Sequence, residues 1–445
     1  MDLLRITTEQ LTPKNLLGLL ALCFFTIQPW NRHLADVFWL LLSMISLCYV
    51  VSKKYHGHTF NTPKPLKTLL YLCALMPLVS LISFLTSPLD TLELSLLEPD
   101  TRWLLIIPVI LAMRDTHFGP QWILVLLFSY AISTLISASS EIAYLTHLYK
   151  RADGDENAVP YGMFNATVAL MLLTYFISPY IKQITNTKAK VILVRGLVFI
   201  VFILASIAAF LSGTRAAVLL IPIVIVIIYS INYGPKKALM GMSILLILGI
   251  TVLAVSPNSA FKTNLKYAYT NTSNYFLLEN KESKLNSMGQ RLEQWKESWC
   301  IFKLHPLLGT GPRSFQQAHQ AYGGKSHCNA VQYLKQGSYQ AHSMYFNTLG
   351  TLGITGIILT LILFLTFLHT AITALKKDST VSKLGGSLLL TVITCHAING
   401  ITLDLWFMNH VMDKNLIVLA IPLVLIFYKQ EQKTLPFKRK TTIEL

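Results

Sequence analysis

Charge is what this sequence has least of. Only 13% of its 445 residues are Asp, Glu, Lys or Arg, against about 25% in an ordinary soluble protein. The mean hydropathy is +0.52 and 53% of residues are hydrophobic. These values exclude a disordered chain and a soluble globular enzyme. Cysteine is also scarce. There are six, too few for a disulfide-stapled secreted domain, and four of them, Cys23, Cys48, Cys73 and Cys395, fall inside apolar runs. No repeat of fixed period and no low-complexity segment stands out. There is no H-E-x-x-H, and Gly309-x-Gly311 lacks the strand and third glycine of a dinucleotide site. Acid is scarcer than base: 21 Asp+Glu against 37 Lys+Arg leaves +16.

What is present is a series of continuous apolar runs long enough to cross a bilayer, which takes roughly 17–25 residues each. They lie near 15–30, 34–51, 66–86, 95–113, 120–142, 162–181, 191–211, 215–232, 237–256, 343–369, 384–402 and 414–428. Continuous runs predict helices, since barrel strands alternate. The first run has no small-x-small cleavage site after it and reads as an anchor. The expected fold is an all-α integral membrane protein of about twelve transmembrane helices with one large, mainly helical loop domain. The chain divides into 1–256 with nine spans, 257–341 as the loop domain, and 342–445 with three spans and a cytoplasmic tail.

The basic residues orient this arrangement. With both termini cytoplasmic, 21 of the 37 fall on the cytoplasmic side. The outer loop 87–100 carries Asp90, Glu93, Glu98 and Asp100 and no base. Most of the excess charge is therefore a topology signal. No basic patch with interleaved aromatics sits on a soluble domain, so nucleic acid is not an expected partner.

Within 257–341, residues 286–303 are predicted to be helical. Met288, Leu292, Trp295, Trp299 and Phe302 form one apolar stripe suited to the lipid interface, with Arg291 one turn before Trp295. His305-Pro306 breaks the helix, and Gly309-Thr310-Gly311-Pro312 makes a turn. A short helix is expected near 313–322. Cys300 and Cys328 are a candidate disulfide if this side is oxidising. A zinc site from Cys300, His305, His327 and Cys328 is the alternative, although the spacing matches no zinc module.

Several charges sit where a membrane protein rarely keeps them. Arg215 lies between two apolar runs at their outer ends. Arg102 opens the fourth run beside Trp103, which reads as an interface anchor. His342 stands where the loop domain returns to the bilayer, with Asn347 on nearly the same face. Asp404 lies in the last outer turn, where a helix N-cap is the simpler role. Arginines gathered on one side suit an anion, above all a diphosphate, because each guanidinium donates a fork of hydrogen bonds.

These stretches resemble the O-antigen ligase family of bacterial membrane glycosyltransferases. The resemblance is carried by Leu211-Ser212-Gly213-Thr214-Arg215, by Arg291-x3-Trp295 with His305-Pro306-Leu307-Leu308-Gly309-Thr310-Gly311, and by His342-Ser343-Met344-Tyr345 leading into Leu349-Gly350-Thr351-Leu352-Gly353-Ile354-Thr355-Gly356. Together they cover roughly residues 205–360. The resemblance implies a GT-C-like membrane enzyme that moves O-antigen from undecaprenyl diphosphate to a lipid A–core hydroxyl, periplasmic and inner-membrane, in contact with other O-antigen assembly proteins. By position, Arg215 and Arg291 bind the diphosphate and His342 acts at the acceptor hydroxyl. Arg102, Arg313 and Asp404 are candidate supporting residues. No cofactor and no metal are expected. The Asp153-x-Asp155 pair reads as a solvated loop, and arginines take a cation's place. An O-antigen polymerase is the nearest alternative. A lipid-linked-sugar transporter is the alternative of another class, although its binding site would need charges at mid-span, where only Glu141 comes near.

Overall fold

The computed structural model describes residues 12–90, 92–145, 158–184, 187–212, 214–234, 236–237, 243, 266, 269–270, 273–277, 286–322, 340–406 and 409–428. Among the described residues the chain is helical, with no strand. In chain order the helices are α1 (Pro13–Ile27), α2 (Arg32–Tyr55), α3 (Lys64–Leu85), α4 (Glu98–Asp115), α5 (Pro120–Leu145), α6 (Ala158–Ile177), α7 (Tyr180–Ile184), α8 (Lys188–Leu211) and α9 (Arg215–Tyr233). They continue with α10 (Ser287–Leu304), α11 (Phe315–Tyr322), α12 (Met344–Leu375), α13 (Thr380–Thr402) and α14 (Asn409–Ile426).

Eleven of the expected apolar runs fall on helices; the run 237–256 lies almost wholly outside the described residues. Among the described residues, seven helices are long and apolar enough to cross a membrane: α2, α3, α5, α6, α8, α12 and α13. The chain is a multi-pass membrane protein. Helix α4 departs from the pattern because Glu98, Asp100, Arg102, Arg114 and Asp115 all lie on it.

Boundaries follow local chemistry. Asn31 caps α2 by accepting from the Leu34 amide at 3.0 Å. Asn286 caps α10 through the Met288 and Gly289 amides at 3.0 and 2.8 Å. Side chains thereby satisfy amides that the first helical turn leaves open. Helices α6 and α13 form the centre of the bundle, whereas α2, α3 and α8 turn much of their surface outward. Leu40, Leu41, Met44, Ile192, Leu193 and Ile200 are exposed there, an arrangement that suits lipid. An aromatic seam of Phe24, Phe25, Trp39, Tyr130 and Phe164 fills the interior between α1, α2, α5 and α6.

Trp103 corrects the sequence reading. It is fully buried and meets Trp406 edge to face, with ring centroids 5.3 Å apart. It is a packing residue between α4 and the 403–406 turn, where an interface anchor was expected.

Candidate functional site

The site is built on a glycine turn pressed against a kinked helix. Gly309 and Gly353 both sit at positive φ, 66° and 64°. A Cβ on Gly309 would stand 2.3 Å from the Thr351 carbonyl carbon, and one on Gly353 would stand 2.5 Å from the Leu307 oxygen. Only glycine allows these backbones to touch. The contact is then bonded: the Gly311 amide donates to Thr351 O at 2.9 Å and the Ile354 amide to Pro306 O at 2.8 Å. Ser83 on α3 donates to Leu308 O at 2.6 Å, and Ser87, just past its end, donates to Thr310 O at 2.5 Å. Gly353 interrupts α12 with non-helical torsions, and the amides freed by the kink find partners in the turn.

This clamp sets α10 alongside the first turns of α12. Trp295 stacks on Phe346 at 5.0 Å with planes 9° apart. Gly350 lies so close to Ser298 that a Cβ there would come within 3.3 Å of the Ser298 Cα. One turn earlier in the same register, Arg291 is near enough to His342 for its charge to act on the imidazole. Burial first, and that guanidinium second, hold His342 below its ordinary value. The pairs 291/342, 295/346 and 298/350 follow helical spacing on both strands of the contact.

The buried face of α10 differs from the expected apolar stripe. Glu293, Gln294, Glu297, Ser298 and Ile301 are buried, while Trp299 is half exposed. The acids are affordable because they are partnered. The Tyr275 hydroxyl donates to Glu293 at 2.7 Å, and His319 Nδ1 lies 2.8 and 2.9 Å from the two Glu297 oxygens. That hydrogen bond raises the His319 pKa. Trp299 and Phe302 remain together on the outer face, 5.3 Å apart.

Below the ladder lies a buried polar network. Arg313, at φ 53°, grips Asp100 with both terminal nitrogens, at 2.8 and 3.0 Å. It also donates to Leu96 O at 2.9 Å and to Trp406 O at 2.5 Å. The Trp406 amide donates to Asp404 at 3.1 Å. Asn347 donates to the other Asp404 oxygen at 2.7 Å and accepts from the Ala341 amide at 3.3 Å. The chain of bonds Arg313–Trp406–Asp404–Asn347–Ala341 therefore ends on the peptide just before His342, which is held at φ 49°. Asp404 does not cap α14, which begins five residues later. Its carboxyl is pushed up to about 6 by burial, with the neighbouring Asp100 charge adding and the Trp406 amide, Arg313 and Asn347 opposing. A cavity of about 30 Å³ opens among Asp100, Arg313, Asn347, Thr351 and Asp404.

Other expected residues stand apart from this network. Arg102 is buried and paired with Asp413 on α14 and with Glu98 at 3.2 Å. These acids occupy the guanidinium, so it is a bundle-closing ion pair. Arg215 opens α9; its side chain lies outside the described residues. The turn that presents it is fixed, since Thr214 donates to Ala158 O at 2.8 Å and a Cβ on Gly162 would strike the Ser212 hydroxyl at 2.1 Å. Cys300 is disulfide-bonded, and Cys23, Cys48, Cys73 and Cys395 are free. Cys328, His327, Asp153 and Asp155 lie outside the described residues, as does the Glu141 side chain. No group of three or more His, Cys, Asp or Glu that could hold a metal occurs among the described residues. Sequence reasoning missed Asp100 as the Arg313 partner and Asp413 as the Arg102 partner. The available signal was an acid at the same outer depth as each arginine.

A Haemophilus influenzae (strain ATCC 51907 / DSM 11121 / KW20 / Rd) protein described only as uncharacterized is similar to this chain, 24% identical over 225 residues. The alignment covers 50% of this chain and 53% of that protein, so the match spans about half the relative's length. The O-antigen ligase family model matches residues 200–361, the stretch that holds Arg215, Arg291, the glycine turn, His342 and the α12 kink. Over that stretch, somewhat more than a third of the chain, the protein is similar to the O-antigen ligase family.

Proposed function

We propose that this protein is an O-antigen ligase. It transfers a glycan from undecaprenyl diphosphate to a lipid A–core hydroxyl at the periplasmic face of the bacterial inner membrane. In this reading the chain has twelve spans, cytoplasmic termini, and Cys300 paired with Cys328. The observation that carries it is the juxtaposition of Arg291 with His342 across the α10–α12 ladder, inside the family-matched segment. A histidine held below its ordinary value is neutral at pH 7 and ready to accept a proton.

The chemistry follows from that state. The acceptor oxygen bonds to the anomeric carbon and its proton passes to His342. The bond from the anomeric carbon to the diphosphate oxygen breaks, with inversion. Undecaprenyl diphosphate leaves with its negative charge met by Arg291 and Arg215, which place positive charge where negative charge develops. The guanidiniums take the part a metal ion would play, so transfer is metal-independent. Asp404, Asn347 and Arg313 act as positioning residues that fix the peptide before His342.

The test is His342→Ala and Arg291→Ala in a strain lacking the native gene. Both proteins should insert and fold, and the lipopolysaccharide should carry no O-antigen. Normal attachment in both variants overturns the reading. Lipopolysaccharide bearing a single attached repeat identifies a polymerase instead.

A further inference from the structure

A second cavity, of about 390 Å³, lies at the end of the bundle away from the His342 network. Arg114, which lines it, stands 14 residues along α4 from Asp100, or about 21 Å at 1.5 Å per residue. Arg114, His369, Lys377, Thr373 and Ser382 line it together with Asn61, Thr370 and Tyr428, and no Asp or Glu lines it among the described residues. The adjacent acid, Asp115, is engaged elsewhere, by the Tyr49 hydroxyl at 2.7 Å and by His58 at 3.1 Å.

Two of the three basic groups, Arg114 and Lys377, are fixed in place. Arg114 is buried; its Nε donates to Phe427 O at 3.0 Å and its Nη2 to Asn61 O at 2.7 Å. No hydrogen bond engages Nη1 among the described residues. Lys377 donates to Ile426 O at 3.2 Å and Ser382 donates to the same oxygen at 3.3 Å. The C-terminal carbonyls of α14 thus explain part of the placement, since cations favour that end of a helix dipole. They do not explain His369, which is exposed on α12. It continues the outward apolar stripe of Ile358, Leu361, Leu365 and Ile372. Burial holds the Lys377 amine below its ordinary value, a loss of hydration that an anion would offset.

We propose that this cavity binds the phosphate headgroup of an anionic phospholipid. Arg114, His369 and Lys377 are the phosphate ligands, and an acyl chain lies along the Leu361–Leu365 stripe of α12. A basic pocket between helices is what an anionic headgroup requires. The apolar stripe running from its mouth favours a lipid over free phosphate, because only a lipid uses both. This site is independent of the transferase reading.

The experiment reconstitutes the full chain in nanodiscs of equal phosphatidylcholine and phosphatidylglycerol, extracts it, and measures retained lipid by native mass spectrometry. Phosphatidylglycerol should be retained over phosphatidylcholine by at least about fivefold, the effect of one basic residue near the surface. The double variant His369→Gln, Lys377→Gln should bring the ratio close to one, with an unchanged thermal midpoint. Thr373→Glu, at an exposed position in the wall, should do the same by repulsion and covers the case in which the double variant does not fold. Equal retention of the two lipids, or a preference unchanged in the variants, overturns the site. Displacement of the lipid by inorganic phosphate alone overturns the lipid assignment in favour of a free anion.

Discussion

Truncating Asn347 to alanine isolates the positioning of His342 from its chemistry. Asn347 is buried and makes two bonds, one to the Asp404 carboxyl at 2.7 Å and one from the Ala341 amide at 3.3 Å. The first is worth about 1.5–3 kcal/mol and the second about 0.5–1.5 kcal/mol, so Asn347→Ala should destabilise by about 2–4 kcal/mol. Holding His342 at positive φ costs about 1–3 kcal/mol and persists only while its surroundings over-determine it. Without the clamp the imidazole shifts, and a displacement of about 1 Å costs about 100-fold in rate. Arg291 sits on another helix and keeps its place. In vitro transfer from a lipid-diphosphate glycan to core acceptor should therefore lose about 100-fold in kcat, with the donor KM within about threefold.

Asn347→Asp gives the sharper readout. The introduced carboxylate still accepts from Ala341 but faces Asp404. Asp404 titrates at about 6 beside Asn347, whose hydrogen bond lowers it; a carboxylate in that place raises the pair's first protonation above this value, so the two repel at high pH, and once one is protonated it donates to its neighbour. Activity should return as pH falls, with the transition above the wild-type Asp404 value, while the depressed pKa of His342 keeps the base neutral there. Unchanged kcat in Asn347→Ala, a loss confined to KM, or a wild-type pH profile in Asn347→Asp would refute the positioning role.

Asp404 also sets a stability slope. A rise from 3.8 to about 6 favours the protonated folded state by about 3 kcal/mol. That stability is full below about 4 and lost as pH climbs through about 6, so the thermal midpoint should fall over this range and Asp404→Asn should flatten it. Gly353→Ala places a Cβ 2.5 Å from Leu307 O at positive φ; it should cost at least about 1–2 kcal/mol and release the 305–311 turn, read as new protease sensitivity there. Arg102→Ala leaves Asp413 buried beside Asp36 without the Arg102 guanidinium, for a loss of about 3–5 kcal/mol, whereas Arg102→Met with Asp413→Leu should be close to neutral in detergent unfolding.

The helices were legible because continuous apolar runs have few other solutions in lipid. Which face of each helix turns inward was not. Helix α10 shows the reason: its apolar stripe was assigned to the lipid interface, and nothing in the pattern marked Glu293 and Glu297, stabilised by Tyr275 and His319, as the buried residues. Partners so placed are invisible to periodicity. The same holds for Arg102, whose neighbour Asp413 is 311 residues away in sequence. His342 and Arg291 were legible as residue types at a given depth, and Asp404 as a charge out of place. Asp100 hid among acids that already had a topological explanation.

Under the proposed function, the length of α12 would set the height at which chemistry occurs. Its 32 residues extend about 48 Å, against about 30 Å of hydrocarbon. The kink at Gly353 leaves nine residues above it, from Met344 to Leu352, or about 14 Å. In the proposed orientation this would lift His342 clear of the acyl chains, to the level of a lipid's headgroup, where the proposed diphosphate would lie. The helix works as a gauge post. A thicker bilayer would submerge its upper segment, so transfer should depend on membrane thickness rather than on the length of the polyprenyl tail.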